Sequence, residues 1–335
     1  MANSPSFIPD VVLCGEALID VIETEDHLTR DVPGGSPLNT AIALSRQGIK
    51  TSLVSRISYD PFGELLRTVL GESRVDLSRA ISCSEPTTLA IATPNGSGSM
   101  NYTFEIDGHS DGTWNESDTM WASEGAKFLV VSGGLAMTVP SMTRAIDQLL
   151  KQDHENQVVV FDPNVRPALI KDPAQVAAKM DEWCGLATIV KASSDDVAWR
   201  WPEKPFQDVA EEWIANGCAL AIVTDGANGV YVCHPHHSTW RKAPKIEIAD
   251  SIGAGDTFTA GLVEWLLKSG KTTPEAIEEL TAEEIVSAVD SGIDLASDTC
   301  TRFGADPPWK SERNEYRTQE TLELTPNAFD RDFAQ

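Results

Sequence analysis

Basic residues are scarce in this chain. Its 335 residues carry 26 Lys and Arg against 51 Asp and Glu, a formal charge of −25. That shortage excludes a nucleic-acid partner, because a phosphate backbone demands a basic face. Long apolar runs are missing as well: none reaches the ~18 residues of a membrane span. Residues 1–10 lack the basic-then-apolar pattern of a secretory leader. The expectation is a soluble, cytoplasmic protein kept dispersed by its acidic surface. Six cysteines (Cys14, Cys83, Cys184, Cys218, Cys233, Cys300) lie far apart with no CxxC pair, so they read as buried thiols in a reducing compartment. Neither GxxxxGK[ST] nor GxGxxG occurs, which removes the main support for the two nucleotide folds those patterns mark. His234, His236 and His237 cluster in sequence and tempt a metal reading, but their loop context speaks against it.

What is present is a rhythm. Hydrophobic residues make up 41% of the chain, enough for one large α/β domain. Short apolar runs at Val11–Cys14, Ser52–Val54, Phe128–Val131, Val158–Phe161, Ile189–Val190 and Ala221–Val223 read as strands, the last closing the series. Between them, Leu38–Gln47, Pro61–Leu70, Pro140–Lys151, Pro173–Cys184 and Asp195–Trp199 read as helices. Strands this short separated by helices indicate a parallel sheet covered on both faces. Ligands in such sheets sit beyond the carboxyl ends of the strands. One region breaks the pattern: residues 87–93, the turn at 94–98 and residues 100–104 read as a β-hairpin, with further strands from residues 20–32. It is either a lid over the strand ends or a surface decoration. Residues 311–335 are polar, without a clean period.

The strand ends carry the chemistry. Asp250-Ser251-Ile252-Gly253-Ala254-Gly255-Asp256 opens into an apolar helix, where unpaired amides and the helix dipole favour an anion. Asp256 there is either a base for an attacking hydroxyl or simply a stabiliser of the first turn. Gly34-Gly35 before a helix lets the backbone approach a ligand, and Asn39 offers donor and acceptor to sugar hydroxyls. Asp162-Pro163-Asn164-Val165-Arg166 places polar groups at the end of a buried strand, which suggests a ligand. Lys191 to Asp196 follows another strand, although Ser193 or Ser194 could simply cap the next helix. Thr224 to Gly229 is a glycine turn after the last strand, or only a β-turn.

Together these residues resemble the ribokinase/PfkB family of carbohydrate kinases: Gly34-Gly35 with Asn39 is similar to its first signature, and 250–256 to its second. The resemblance runs from about residue 11 to 308 and is strongest to the fructokinase branch, through 15–20, 162–166 and 300–308. It implies a Rossmann-like (ribokinase-like), mostly parallel sheet with helices on both faces and a small β-sheet lid. The core would span 1–310, the lid about 20–33 and 86–112, and residues 311–335 would form an extension. It implies transfer of the γ-phosphoryl of ATP to a sugar hydroxyl, with Asp256 as base, Gly253, Ala254 and Gly255 as anion hole, and Arg166 at the reacting end. Asp20, Gly34, Gly35, Asn39 and Phe104 would hold the sugar; Lys191, Ser193, Thr224, Gly226 and Gly229 would border the nucleotide. Mg²⁺ would be served indirectly by Asp196, K⁺ would bind near the anion hole, and the chain would form a homodimer through the lid. Three positions depart from the pattern: Ser193-Ser194-Asp195-Asp196 stands for NxxE, Ser251 for Thr, and Gly112 for the Arg of a lid segment. D-fructose is the leading substrate. 2-keto-3-deoxygluconate is the alternative, and an inactive sugar-binding protein a further one.

Overall fold

A computed structural model describes residues 7–23, 28–94, 100–120 and 122–313. Strands β1 (Val11–Cys14), β2 (Leu18–Glu23) and β3 (Thr29–Gly34) lead into helix α1 (Ser36–Arg46). β4 (Thr51–Val54) and β5 (Arg56–Ser58) precede α2 (Pro61–Glu72), and β6 (Ile81–Cys83), β7 (Leu89–Pro94) and β8 (Met100–Glu105) follow it. Next come β9 (Phe128–Ser132), α3 (Pro140–Asp153), β10 (Val158–Asp162), α4 (Pro173–Cys184), β11 (Ile189–Ser193), α5 (Ser194–Arg200) and α6 (Phe206–Ala215). β12 (Leu220–Thr224), β13 (Val230–Cys233) and β14 (Ser238–Arg241) precede α7 (Ala254–Lys268), α8 (Pro274–Glu278) and α9 (Ala282–Cys300).

The main sheet runs β4-β1-β9-β10-β11-β12 in parallel. Its central strands are buried along their whole length, as a sheet covered on both faces requires. Alternate residues divide between two cores. Val12, Leu129, Val159 and Phe161 join side chains of α3, α4 and α6 such as Ile146, Met180 and Trp213. Val11, Leu13, Phe128, Val130 and Val158 face the other way, onto Leu38, Leu66, Phe258, Leu262 and Ile285 of α1, α2, α7 and α9. Two glycines let α7 and α9 approach closely: a Cβ on Gly261 would stand 2.4 Å from the Ser291 carbonyl, and one on Gly292 2.9 Å from the Phe258 ring.

The reading that ended the strand series at Ala221–Val223 needs correction, because β13 and β14 extend the sheet in antiparallel fashion. The turn after β12, with Gly229 at φ 123°, reverses the chain so that Val230 pairs with Thr224. α1 likewise begins earlier than Leu38. Pro37 lies in its first turn, where a missing N–H costs nothing, and Ser36 is thereby drawn into the helix.

A second, smaller sheet has the order β3-β2-β7-β8. It is assembled from two excursions of the chain, joined by parallel pairing of β2 with β7. Its register puts Val32, Asp20, Ala90 and Phe104 in one row, so their side chains share a face. Ala90 is buried in the α3-side core and Phe104 packs against it, so that face looks onto the main sheet. The expected hairpin turn at 95–98 and the end of the chain from 314 lie outside the described residues. Among the described residues no helix is long and apolar enough to cross a membrane. Five of the six cysteines are buried, and Cys300 is half-buried.

Candidate active site

The start of α7 has the geometry expected of an anion site. Gly253, its N-cap, adopts the left-handed conformation at φ 76°. A Cβ there would stand 2.8 Å from that of Ala305, so the position suits glycine on two counts. The carboxylate of Asp250 accepts from the amides of Ile252 (3.0 Å) and Gly304 (2.9 Å) and ties the motif to the loop after α9. Of the amides the sequence offered, that of Ala254 donates to the Ser251 carbonyl at 3.2 Å. Those of Gly255 and Asp256 sit in the first turn, without intrahelical acceptors. Directly beside them, the Lys191 ammonium lies 2.9 Å from where a Cβ of Gly255 would be. It is held there by a buried 2.8 Å ion pair with Asp162. Burial works against the charge on Lys191, but the Asp162 carboxylate outweighs it and keeps the ammonium pKa above its ordinary value. Burial raises Asp162 itself to about 6, with Lys191 opposing.

Asp256 stands one turn into the helix and meets α1. Ser36 Oγ donates to its Oδ1 at 2.6 Å, and Asn39 Nδ2 donates to its Oδ2 at 2.9 Å. Ser36 and Asn39 are three apart on one helix, hence neighbours on one face. Asn39 was expected at the site; Ser36 was not singled out, although a hydroxyl one turn before Asn39 is a readable signal. Glu16, in the β1–β2 turn, was also missed. Its Oε1 accepts from the Ser36 amide at 3.3 Å, and its Oε2 is buried without a partner. Burial pushes its carboxyl up to about 7, opposed by Arg166 and the Ser36 amide, with Asp256 adding to the rise.

The paired glycines have separate reasons. A Cβ on Gly34 would fall 2.1 Å from Asp20 Oδ2, so Asp20 lies across it. Gly35, at φ 111°, would place a Cβ 2.7 Å from the Glu16 carbonyl. Asp20 is raised to about 6 by burial, with Arg166 opposing. Arg166 is exposed and donates to the carbonyls of Asn164 (3.2 Å) and Val165 (3.3 Å). Its charge faces both Asp20 and Glu16. Phe104 lies in the same row as Asp20, half-buried.

Of the residues expected to border the nucleotide, Ser193 and Thr224 pair across β11 and β12, and Gly226 and Gly229 turn the chain just beyond. Ser193 does cap α5: its Oγ accepts from the Asp196 amide at 3.1 Å and donates to Asp196 Oδ2 at 2.6 Å. Oδ1 of Asp196 accepts from the Val165 amide at 2.6 Å, so this residue also locks the end of β10 to α5. The histidines at 234–237 serve structure. His234 is fully buried, its Nδ1 accepting from the His236 amide and its Nε2 bonded to the Ile277 carbonyl at 3.1 Å.

A carboxylate oriented by Ser36 and Asn39 at a helix start has the arrangement that phosphoryl transfer to a hydroxyl demands. Fold and site thus define a carbohydrate kinase. The chain belongs to the pfkB family: the model of the pfkB family carbohydrate kinases matches residues 9–311. It is 28% identical over 284 residues to the fructokinase of Rhizobium leguminosarum bv. trifolii, covering 84% of this chain and 86% of that one. It is 29% identical over 272 residues to the fructokinase of Escherichia coli, covering 79% and 87%. Among solved structures, the fructokinase of Xylella fastidiosa with bound ATP superposes with a TM-score of 0.81 at 23% identity, over 89% of this chain and 94% of that one. A fructokinase of Vibrio cholerae O395 bound to fructose, ADP and potassium superposes at 0.76 with 24% identity, again over 89% and 94%.

Proposed function

We propose that this carbohydrate kinase transfers the γ-phosphoryl group of ATP to D-fructose, giving fructose 6-phosphate, with Asp256 as general base. The observation that carries the reading is the placement of Asp256: one carboxylate oriented by Ser36 and Asn39, at the same helix turn as the anion site. A hydroxyl bound between Asp256 and the phosphate loses its proton to the carboxylate as its oxygen attacks phosphorus. Charge on the transferring group is met by the first-turn amides of α7, by Lys191 and by Arg166. The small sheet acts as the lid, bringing Asp20 and Phe104 to the sugar alongside Gly34, Gly35 and Asn39. Thr224, Gly226, Gly229 and Ser193 border the nucleotide. Fructose as acceptor is supported by the fructokinase relatives and by the fructose in the Vibrio cholerae structure.

The residues present suit a magnesium ion that arrives with the nucleotide. Among the described residues no group of three or more His, Cys, Asp or Glu could cage a metal, and Mg²⁺ characteristically keeps waters and takes one or two carboxylates plus phosphates. Asp196 already accepts several bonds, which fits a contact through water. Bound with ATP, Mg²⁺ neutralises phosphate charge.

Replacing Asp256 with Asn is expected to cut kcat about 100-fold or more while ATP binding by calorimetry persists; normal turnover would remove Asp256 as the base. A panel run with and without K⁺ should give a higher kcat/KM for fructose than for 2-keto-3-deoxygluconate, and the reverse order would reassign the substrate. Sugar binding with no ADP release would instead mark an inactive sensor. We assign a homodimer to the lid, where Ile91 is half-buried on the face opposite Ala90. A monomeric mass by light scattering at micromolar concentration would contradict it.

A further inference from the structure

Ser36 is 8% exposed and bonded at both its backbone and its side chain. Its amide is fixed on Glu16 Oε1 at 3.3 Å, and its hydroxyl reaches Asp256 Oδ1 at 2.6 Å. Glu16 is itself only 4% exposed, and the Cβ that Gly35 lacks would collide with its carbonyl. The hydroxyl is therefore presented to Asp256 by a rigid turn rather than by a free rotor on the surface. We propose that Ser36 is a positioning residue for the base: it aims the Asp256 carboxylate and fixes its rotation. This rests on the reading of Asp256 as base given above.

The chemistry follows from the donor. An ionised carboxylate only accepts hydrogen bonds, so the Ser36 hydroxyl donates to Oδ1 and restrains it. Asn39 does the same at Oδ2, and the two donors fix the rotation of the carboxylate group. Charged groups also face Asp256: Glu16 from the β1–β2 turn, Asp162 at the end of β10 and Lys191 on β11. Arg166, beyond β10, acts on Glu16 in the same space. Ser36 and Asn39 are the neutral groups that hold the carboxylate's orientation among them.

The test is steady-state kinetics with D-fructose and ATP in the whole enzyme, for the wild type, Ser36→Ala, Ser36→Thr and Asp256→Asn. Ser36→Ala is expected to lower kcat on the order of 10- to 100-fold, with KM for ATP and for D-fructose unchanged. Ser36→Thr, which keeps the hydroxyl, should restore kcat. A wild-type kcat in Ser36→Ala, or a raised KM in place of a lowered kcat, overturns the inference. A dead Asp256→Asn beside an unaffected Ser36→Ala removes only the role of Ser36. An active Asp256→Asn removes the base, and the role of Ser36 with it.

Discussion

In a chain of charge −25, a cation at the start of α7 has to be held in place, and Lys191 shows how. Its carboxylate partner, Asp162, lies at the end of the neighbouring strand and pairs with it at 2.8 Å, both groups buried. The pair fixes the ammonium under Gly255, where only glycine leaves it room. Removing one partner of such a pair strands the other, typically at a cost of about 3–5 kcal/mol. Lys191→Met should therefore lower the melting temperature clearly at pH 8. The loss should be smaller at pH 5.5, where Asp162, already raised to about 6, can take up a proton. Adding Asp162→Asn should recover most of the melting temperature but not the kcat. Recovery of both would show that Lys191 contributes only to folding.

At the scale of the element, the parallel core was readable because its strands are buried on both faces and stand out as apolar runs, Val158–Phe161 most plainly. The helix start at 253 was readable from its glycines. β13 was visible as an apolar run but not as part of the main sheet, since only the reversal at Gly229 turns it antiparallel to β12. α9 was not read, because glycine within its span (Gly292) argues locally against helix. Its reason is tertiary, the close passage of Phe258 from α7. Asp20, Gly34, Asn39 and Asp256 were legible as a set through family pattern. Ser36 and Glu16 were not, because their roles depend on contacts made across the site. The hydroxyl one turn before Asn39 could have marked Ser36, but a lone Glu in a sequence gives no sign of what it faces. The choice between cap and ligand at Ser193 was also undecidable locally, and the structure shows the cap fully formed.

For the whole molecule, the joint between the small sheet and the core is lined with acids that burial keeps reluctant to ionise. Glu16 is raised to about 7 and Asp111, after β8, to about 8. Each is raised first by desolvation, and Asp111 also by the charge of Glu16. Above their ordinary range these groups hold protons in the folded state that the unfolded chain has released, so stability falls as pH rises toward the folded values. His234, lowered to about 4 by burial, has the opposite slope, but only up to its ordinary value near 6.5. Between pH 6.5 and 8.5 the acids decide. The melting temperature of the ligand-free protein should drop across that interval, and Glu16→Gln or Asp111→Asn should flatten the drop. A melting temperature that climbs over the same range would show that these carboxyls ionise freely.

The parallel seam between β2 and β7 has a kinetic consequence. Each hairpin alone is two strands, too little to persist in water. Ile19 finds Leu89 only after β4, α2 and β6 have been laid down between them. The sheet that carries Asp20 is therefore a late product of folding, dependent on long-range closure. Its amides should be among the earlier ones to exchange with solvent as the protein opens, and neither hairpin cut from the molecule alone would reproduce it.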